Sequence, residues 1–283
     1  MIRLLFILTI FLSVSMSSLA QSNQLGMATS LENDSLLYAS GFKLIGTSVE
    51  ALLSPTSADS EVVGRQELVR SLKCKVIMCN VLFPARIKIA GPDVNESEVL
   101  SYLEGVLKRA GMMGVPNLIL GSGGARRLPD NYDKEKAKGE FTLLAGKMAR
   151  LAKQYNVTIM LENLNSTETN FLTRLSDAAD VVRKVNHPSF RLNADIYHML
   201  KEDESPQEII KAKGLIRYCE IAEKDGRTLP GVKGEDFVPY LRALNDIRYQ
   251  GPMIIEGRSD DLAHDLPRAY DYLRKQLEEA SHR

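Results

Sequence analysis

Eight short apolar runs alternate with longer segments of helical periodicity, and the alternation continues almost to the last residue. The runs, rich in β-branched residues, span 25–30, 43–49, 75–81, 117–121, 157–162, 190–195, 215–222 and 252–256. The helical segments span 97–110, 133–154, 175–185, 236–247 and 262–279. Strands that are separated by helices form βαβ units with a parallel sheet. Eight such strands predict an α/β chain that folds as a single (β/α)8 barrel.

The glycine-rich segment after the fourth run raises one alternative, an open sheet that binds a dinucleotide. Gly121, Gly123 and Gly124 lie where such a sheet places its phosphate loop. The segment lacks the third glycine of that fingerprint, and no ribose-binding acid follows it. The closed barrel is therefore the better prediction, and a barrel of ~250 residues commonly forms one domain.

The first twenty residues have the pattern of a secretory signal peptide. Arg3 precedes an apolar run over 4–16, and Ser18-Leu19-Ala20 is a small-x-small cleavage signal. The run is shorter than the ~20 apolar residues that a membrane-spanning helix needs. We predict a signal peptide over 1–20 and a barrel domain over 21–283, with no stable membrane insertion after cleavage. The protein is then exported, and is periplasmic or secreted.

The composition narrows the class of partner. Lysine plus arginine and aspartate plus glutamate number 36 each, so there is no basic surplus for nucleic acid or an anionic membrane surface. The three cysteines, an odd number, do not make a disulfide framework. We expect a small-molecule ligand and no nucleic acid, and a homo-oligomer stays open.

Acidic residues stand at the ends of four consecutive predicted strands. Active sites of barrels are built at the carboxyl ends of the strands, so we expect these side chains to meet at the mouth. They are the acids at or near the ends of runs five to eight, here called the strand-end acids: Glu162, Asp195, Glu220 and Glu256.

Convergence of four carboxylates carries an electrostatic cost. Carboxylates that share one site repel each other, and their pKa values rise. A divalent cation removes the repulsion, and oxygen ligands suit Mn²⁺ or Mg²⁺. One such acid alone could equally cap a helix or pair with a lysine, but four together favour a metal. We therefore predict that the strand-end acids bind one divalent metal ion.

Further polar residues follow the same strands. Glu168 lies on the loop after Glu162, and His198 stands three residues beyond Asp195, one turn away if a helix begins there. Arg126 follows the glycine-rich segment, where backbone amides and a guanidinium suit an anion or a cluster of sugar hydroxyls. The alternative for Arg126 is a surface arginine on a tight turn.

A charged loop follows the seventh run. Glu223, Lys224 and Asp225 are interpreted as a solvated turn. Of this loop, only Arg227 is a candidate for a functional role.

The chain resembles the xylose isomerase-like TIM barrel family of sugar isomerases and epimerases, and in particular its ketose 3-epimerase type. The resemblance covers nearly all of the chain after residue 20. Its most specific stretches are Leu161-Glu162-Asn163-Leu164-Asn165, Asp195-Ile196-Tyr197-His198-Met199, the segment 221–231, and Tyr249-Gln250-Gly251 leading to Glu256.

The resemblance implies a metal site and a set of sugar contacts. In that family a Glu, an Asp, a His and a Glu at the ends of strands five to eight hold Mn²⁺, Co²⁺ or Mg²⁺, and the strand-end acids occupy the matching positions. It also implies that Glu168, His198 and Arg227 contact sugar oxygens, with Arg227 displaced by one residue.

One departure concerns the third ligand, which is histidine in most relatives. This chain has Tyr218-Cys219-Glu220 there. A fourth carboxylate makes a harder, more negative site, which favours Mn²⁺ or Mg²⁺ and leaves Co²⁺ and Zn²⁺ as further candidates. The alternative is an altered or catalytically silent site.

The implied chemistry is epimerisation or isomerisation by proton abstraction next to a sugar carbonyl. It needs two bases that flank the substrate and an electrophile for the enediolate. Glu162 and Glu256 occupy the family positions of the two bases. Two alternatives stay open. One is a lyase or hydrolase that acts on oxidised (keto) sugars or glycosides with the same scaffold, and the other is a sugar-binding protein without catalysis.

Overall fold

The eight predicted strands are all present. A computed structural model describes residues 24–282, so the predicted signal peptide and its cleavage point lie outside the described residues. The strands are β1 (Leu25–Ala28), β2 (Leu44–Ser48), β3 (Lys75–Asn80), β4 (Asn117–Leu120), β5 (Thr158–Glu162), β6 (Phe190–Asp195), β7 (Ile216–Ile221) and β8 (Met253–Ile255).

The strands close into one barrel, as the sequence predicts. Each strand pairs in parallel with the next in chain order. β1 also pairs in parallel with β8, which completes the ring. A closed ring has no free sheet edge, and all eight carboxyl ends open on one side.

Helices follow the strands and cover the outside of the barrel. A short 3₁₀ helix (Leu31–Asn33) comes after β1. The α-helices are α1 (Asp34–Ala39), α2 (Val49–Leu53), α3 (Asp59–Ser71), α4 (Glu96–Met113), α5 (Gly123–Arg126), α6 (Lys134–Gln154), α7 (Leu175–Val185), α8 (Ile196–Lys201), α9 (Gln207–Lys211), α10 (Val238–Asp246) and α11 (Leu262–Ser281).

Local chemistry explains where the helices begin and end. The side chain of Asn95 accepts a hydrogen bond from the backbone N–H of Glu98, which caps the start of α4. The same helix ends at Gly114, whose φ of 70° is the left-handed conformation that glycine adopts without strain. Asp133 caps α6 in the same way as Asn95 caps α4.

Several helices were not predicted, for two physical reasons. α3 has no apolar stripe at helical spacing, and its Val63 and Leu68 are exposed. The helices α1, α2, α8 and α9 have only five or six residues each, which is too short for periodicity to be recognised.

Two apolar layers hold the fold together. The larger one lies between the strands and the helices, and a smaller one fills the inside of the barrel with Ile77, Met78, Ile119, Met160, Tyr218 and Ile254. The three cysteines are buried and unpaired. Across residues 24–282, no helix combines the length and the hydropathy that crossing a bilayer requires.

Candidate metal centre

The carboxyl ends of β5 to β8 bring the strand-end acids to one point. Glu162 ends β5, Asp195 ends β6, and the register of β6 with β7 pairs Asp195 directly with Glu220. Glu256 follows the last residue of β8. One carboxylate oxygen from each of the four lies within 4.8 Å of the other three.

Burial makes this convergence electrostatically costly. Glu220 is fully buried, and burial, followed by the charges of Glu256 and Glu162, raises its pKa well above the ordinary value. Burial also raises the pKa of Glu162. The pKa of Glu256 rises to about 7, first through burial and then through the charge of Glu162. In each case, burial and the neighbouring carboxylates disfavour the charged form of the side chain.

Carboxylate oxygens without a hydrogen-bond partner indicate which kind of ligand the strand-end acids could bind. Oδ2 of Asp195 and Oε1 of Glu220 are buried and have no hydrogen-bond partner among the described residues. The other oxygen of Glu220 accepts a hydrogen bond from Nδ2 of Asn193, so a single oxygen is left free. Buried carboxylate oxygens are costly to leave unpaired, and a hard divalent cation satisfies them. The residues present therefore fit a divalent metal ion.

His198 lies against the cluster at the start of α8. Its backbone N–H donates to Oδ1 of Asp195, which caps that helix. Its Nε2 lies 3.3 Å from Oε1 of Glu162 and 3.5 Å from Oδ2 of Asp195. Burial alone would lower the pKa of His198, but the charges of Asp195 and Glu162 outweigh it and raise the pKa.

Arg227 supplies a positive charge on the solvent side of the cluster. Its guanidinium contacts Oε2 of Glu256, lies 3.1 Å from Oε1 of Glu168, and stacks 4.5 Å from the ring centre of Tyr197. Burial would lower its pKa, but Glu256 and Asp195 raise it. The residue has a φ of 53°, a left-handed conformation that non-glycine residues adopt at an energetic cost. The loop thus holds this side chain over the acids.

Arg126 lies behind the cluster rather than on the surface. Its side chain is fully buried, and Nη1 donates a hydrogen bond of 2.8 Å to the backbone carbonyl oxygen of Glu162. Nε and Nη2 have no hydrogen-bond partner among residues 24–282. Burial, partly offset by the charges of Glu162 and Glu168, lowers the pKa of Arg126 to about 10. A contact between Arg126 and a substrate stays a prediction.

The interpretation of Glu223 as part of a solvated turn is wrong. Its side chain is fully buried and accepts hydrogen bonds from Oγ1 of Thr228 and from the backbone N–H groups of Gly231, Lys233, Gly234 and Glu235. Glu223 therefore organises the loop that carries Arg227. Sequence reasoning missed it because its partners are backbone groups up to twelve residues further along the chain.

Amide side chains form a second set that sequence reasoning missed. Asn163 bridges β5 and β6 through two hydrogen bonds with the backbone of Asp195. Nδ2 of Asn80 donates a hydrogen bond of 2.6 Å to Oε1 of Glu256. Asn80 ends β3, so its place at the end of a strand was the one signal available.

Comparisons with known proteins agree with this architecture. A sequence profile of the xylose isomerase-like TIM barrel family matches residues 37–278. A ketose 3-epimerase of Arthrobacter globiformis is 31% identical over 125 residues, which are 44% of this chain and 43% of that protein. A putative hydroxypyruvate isomerase of Mus musculus is 29% identical over 158 residues, or 53% of this chain and 56% of its own length. The chain thus matches about half the length of these curated relatives.

Solved structures extend the likeness over the whole barrel. A 3-keto-D-glucoside 4-epimerase from E. coli, in its apo form, superposes with a TM-score of 0.75. The match covers 89% of this chain and 99% of that one, at 17% identity. At this identity the likeness establishes the fold.

Proposed function

Because the chain belongs to the xylose isomerase-like TIM barrel family, we propose that it is a metal-dependent sugar epimerase or isomerase that removes a proton next to a sugar carbonyl. One observation carries the proposal, namely the meeting of four carboxylates at the carboxyl ends of β5 to β8. Barrel enzymes of this kind place their chemistry at that side of the sheet.

The strand-end acids would hold the metal, with Mn²⁺ or Mg²⁺ preferred for a site of oxygen ligands. When bound, a divalent cation supplies a Lewis acid that stabilises negative charge on the substrate oxygens. The raised pKa values of Glu162, Glu220 and Glu256 support this assignment, because they mark a cluster that needs a positive charge.

Two of these carboxylates would move the proton. Glu162 ends β5 and Glu256 follows β8, so they enter the mouth from different strands. A carboxylate can accept and return a proton, so each of these glutamates has the side chain that a general base requires. One glutamate would take the proton from the carbon next to the carbonyl, and the other would return a proton to the opposite face.

The remaining polar residues would bind and orient the sugar. Arg227 and Glu168 contact each other at the edge of the cluster, and both are partly accessible. His198 offers Nε2 beside Glu162. Together they present donors and acceptors around the point where the acids meet, as recognition of several hydroxyls requires. A direct role for Arg126 is part of the same proposal.

The names of the similar proteins suggest the substrates to try. They include a ketose 3-epimerase, a putative hydroxypyruvate isomerase and a 3-keto-D-glucoside 4-epimerase. The test incubates the protein in D₂O with each ketose or 3-keto-glucoside and with Mn²⁺, and the metal is chelated before NMR and mass spectrometry. We expect an epimer or isomer that carries carbon-bound deuterium.

Other outcomes of that test would replace the proposal. Release of an aglycone or of water with an unsaturated product identifies a lyase. Binding without any deuterium incorporation identifies a sugar-binding protein. Chelation of the metal before the substrate is added should abolish the exchange, and exchange that survives complete chelation contradicts the metal requirement.

Export is proposed separately, on the pattern of residues 1–20. N-terminal sequencing of protein from its native cells should begin at Gln21. A chain that retains Met1 rejects the signal peptide.

A further inference from the structure

Thr167, Asn165 and His198 form a hydrogen-bonded series. A backbone group fixes which atoms in it donate and which accept. The backbone N–H of Thr167 can only donate, and it lies 2.9 Å from Oδ1 of Asn165. This bond identifies the oxygen of the Asn165 amide. A flipped amide would place NH₂ against that N–H and lose the bond.

The other end of the same amide faces His198. Nδ2 of Asn165 lies 2.8 Å from Nδ1 of His198 and 3.4 Å from Oε1 of Glu168. The Asn165 and His198 side chains are completely buried, so no solvent takes the place of either partner. A carboxylate oxygen can only accept, which again requires a donor at this end of Asn165.

These contacts indicate which ring nitrogen of His198 carries hydrogen. Nδ1 must accept from Asn165, because the two nitrogens are 2.8 Å apart and a hydrogen on Nδ1 would clash with the amide hydrogens. A ring whose Nδ1 is unprotonated is neutral and carries its one hydrogen on Nε2, which lies 3.3 Å from Oε1 of Glu162. We propose that Asn165 is a positioning residue that holds His198 as the tautomer protonated on Nε2.

This tautomer decides whether His198 acts as a metal ligand or as a hydrogen-bond donor. Glu162, Asp195 and His198 form a second cluster whose geometry could hold a metal ion. A nitrogen that carries hydrogen has no free lone pair for a metal, so His198 is not a ligand. It is a hydrogen-bond donor that points at the acids, and a substrate oxygen there would receive it. The contact between His198 and a substrate oxygen rests on the proposed function, whereas the tautomer does not.

The test observes the ring nitrogens directly. Protein labelled with ¹⁵N-histidine and loaded with diamagnetic Mg²⁺ is measured by long-range ¹H–¹⁵N correlation. The chain has four histidines, and His198→Gln identifies the His198 signals by their loss. We expect Nδ1 of His198 to be unprotonated and Nε2 to be protonated.

Asn165→Asp reverses the hydrogen-bond direction with almost no change of shape. The new carboxylate still accepts from the N–H of Thr167 but offers only lone pairs to His198. We expect Nδ1 of His198 to become protonated in this variant. Asn170→Asp is the matched control, because it adds the same charge on the same loop while its amide contacts only the backbone of Leu128. It should leave the His198 signals as in the parent.

Two results would overturn the proposal. One is a parent protein in which Nδ1 of His198 is protonated, whether Nε2 is free or bound to metal. The other is an Asn165→Asp variant whose Nδ1 stays unprotonated. Neither requires a substrate, so they are independent of the proposed function. On an identified substrate, Asn165→Asp should also lower kcat/KM by ~10-fold or more, as loss of an orienting partner does, with Asn170→Asp close to the parent.

Discussion

Asn193 donates a hydrogen bond to Oε2 of Glu220 and leaves Oε1 of the same carboxylate without a partner beside the other strand-end acids. Asn193 lies two residues before Asp195 on β6, and the register pairs it with Tyr218 on β7. The amide therefore fixes Glu220 so that one oxygen faces the cluster. This arrangement would give the proposed metal site a fourth oxygen ligand at the position where the family resemblance implies histidine.

The first prediction concerns metal preference. Glu220→His replaces a hard oxygen with a softer nitrogen and removes one negative charge, so affinity should move from Mn²⁺ towards Zn²⁺ by about tenfold or more. Equilibrium competition of the two ions, with metal content measured after dialysis, gives the ratio for parent and variant. An unchanged ratio would mean that Glu220 is not a ligand.

The second prediction is that protons compete with the metal near neutral pH. The pKa of Glu256 is raised from 4.5 to about 7, so the folded, metal-free protein binds a proton there more tightly than the unfolded chain. Metal affinity should therefore fall as pH decreases below about 7. Calorimetric titration with Mn²⁺ across this range measures the effect, and affinity that is independent of pH would contradict it.

The same pKa shift gives the stability of the metal-free protein the opposite pH dependence, so that stability falls as pH increases. A raised carboxyl pKa contributes stability that is present below the unfolded value of 4.5 and is lost as pH rises through about 7. Metal-free protein should thus lose thermal stability between about pH 5 and about pH 8, relative to metal-loaded protein. Thermal unfolding followed by circular dichroism provides the comparison.

A third prediction concerns Gly121, the residue that directly follows β4. A Cβ on this residue would overlap Oε2 of Glu162, so only glycine lets that carboxylate occupy its place. Gly121→Ala should cost about 1–3 kcal/mol of unfolding free energy and weaken metal binding. Gly139→Ala is the control, since Gly139 has no neighbour within 4 Å of a new Cβ and alanine favours the helix by about 0.5–1 kcal/mol.

The fourth prediction addresses the loop that carries Arg227. Glu223→Ala removes the acceptor of four backbone N–H groups and should destabilise the protein by about 2–3 kcal/mol. KM should rise because Arg227 is no longer held over the acids. Asp225→Ala, on the same loop with a largely exposed side chain, should change stability by less than about 0.5 kcal/mol. Equal effects of the two variants would reject the role of Glu223.

The sequence could predict those features of the fold and the site that leave a local pattern in it. The barrel and the meeting of Glu162, Asp195, Glu220 and Glu256 follow from apolar runs that end in acids, because parallel strands share one carboxyl edge. The Asn165–His198 contact joins residues that are 33 positions apart, and Glu223 binds backbone groups, so neither leaves a periodic signal. The assignment of ligands, bases and sugar contacts stays a prediction.

The paired glutamates allow the most direct test of the proposed chemistry. Glu162→Gln and Glu256→Gln each keep the side-chain volume and a metal-binding oxygen but remove the transferable proton. On a sugar that the parent epimerises, the rate of carbon-bound deuterium incorporation from D₂O is measured at matched metal occupancy. Each variant should exchange ~10²-fold more slowly than the parent or worse, the usual scale for a lost general base. Full exchange in both variants, with the metal still bound, would contradict proton transfer by these two residues.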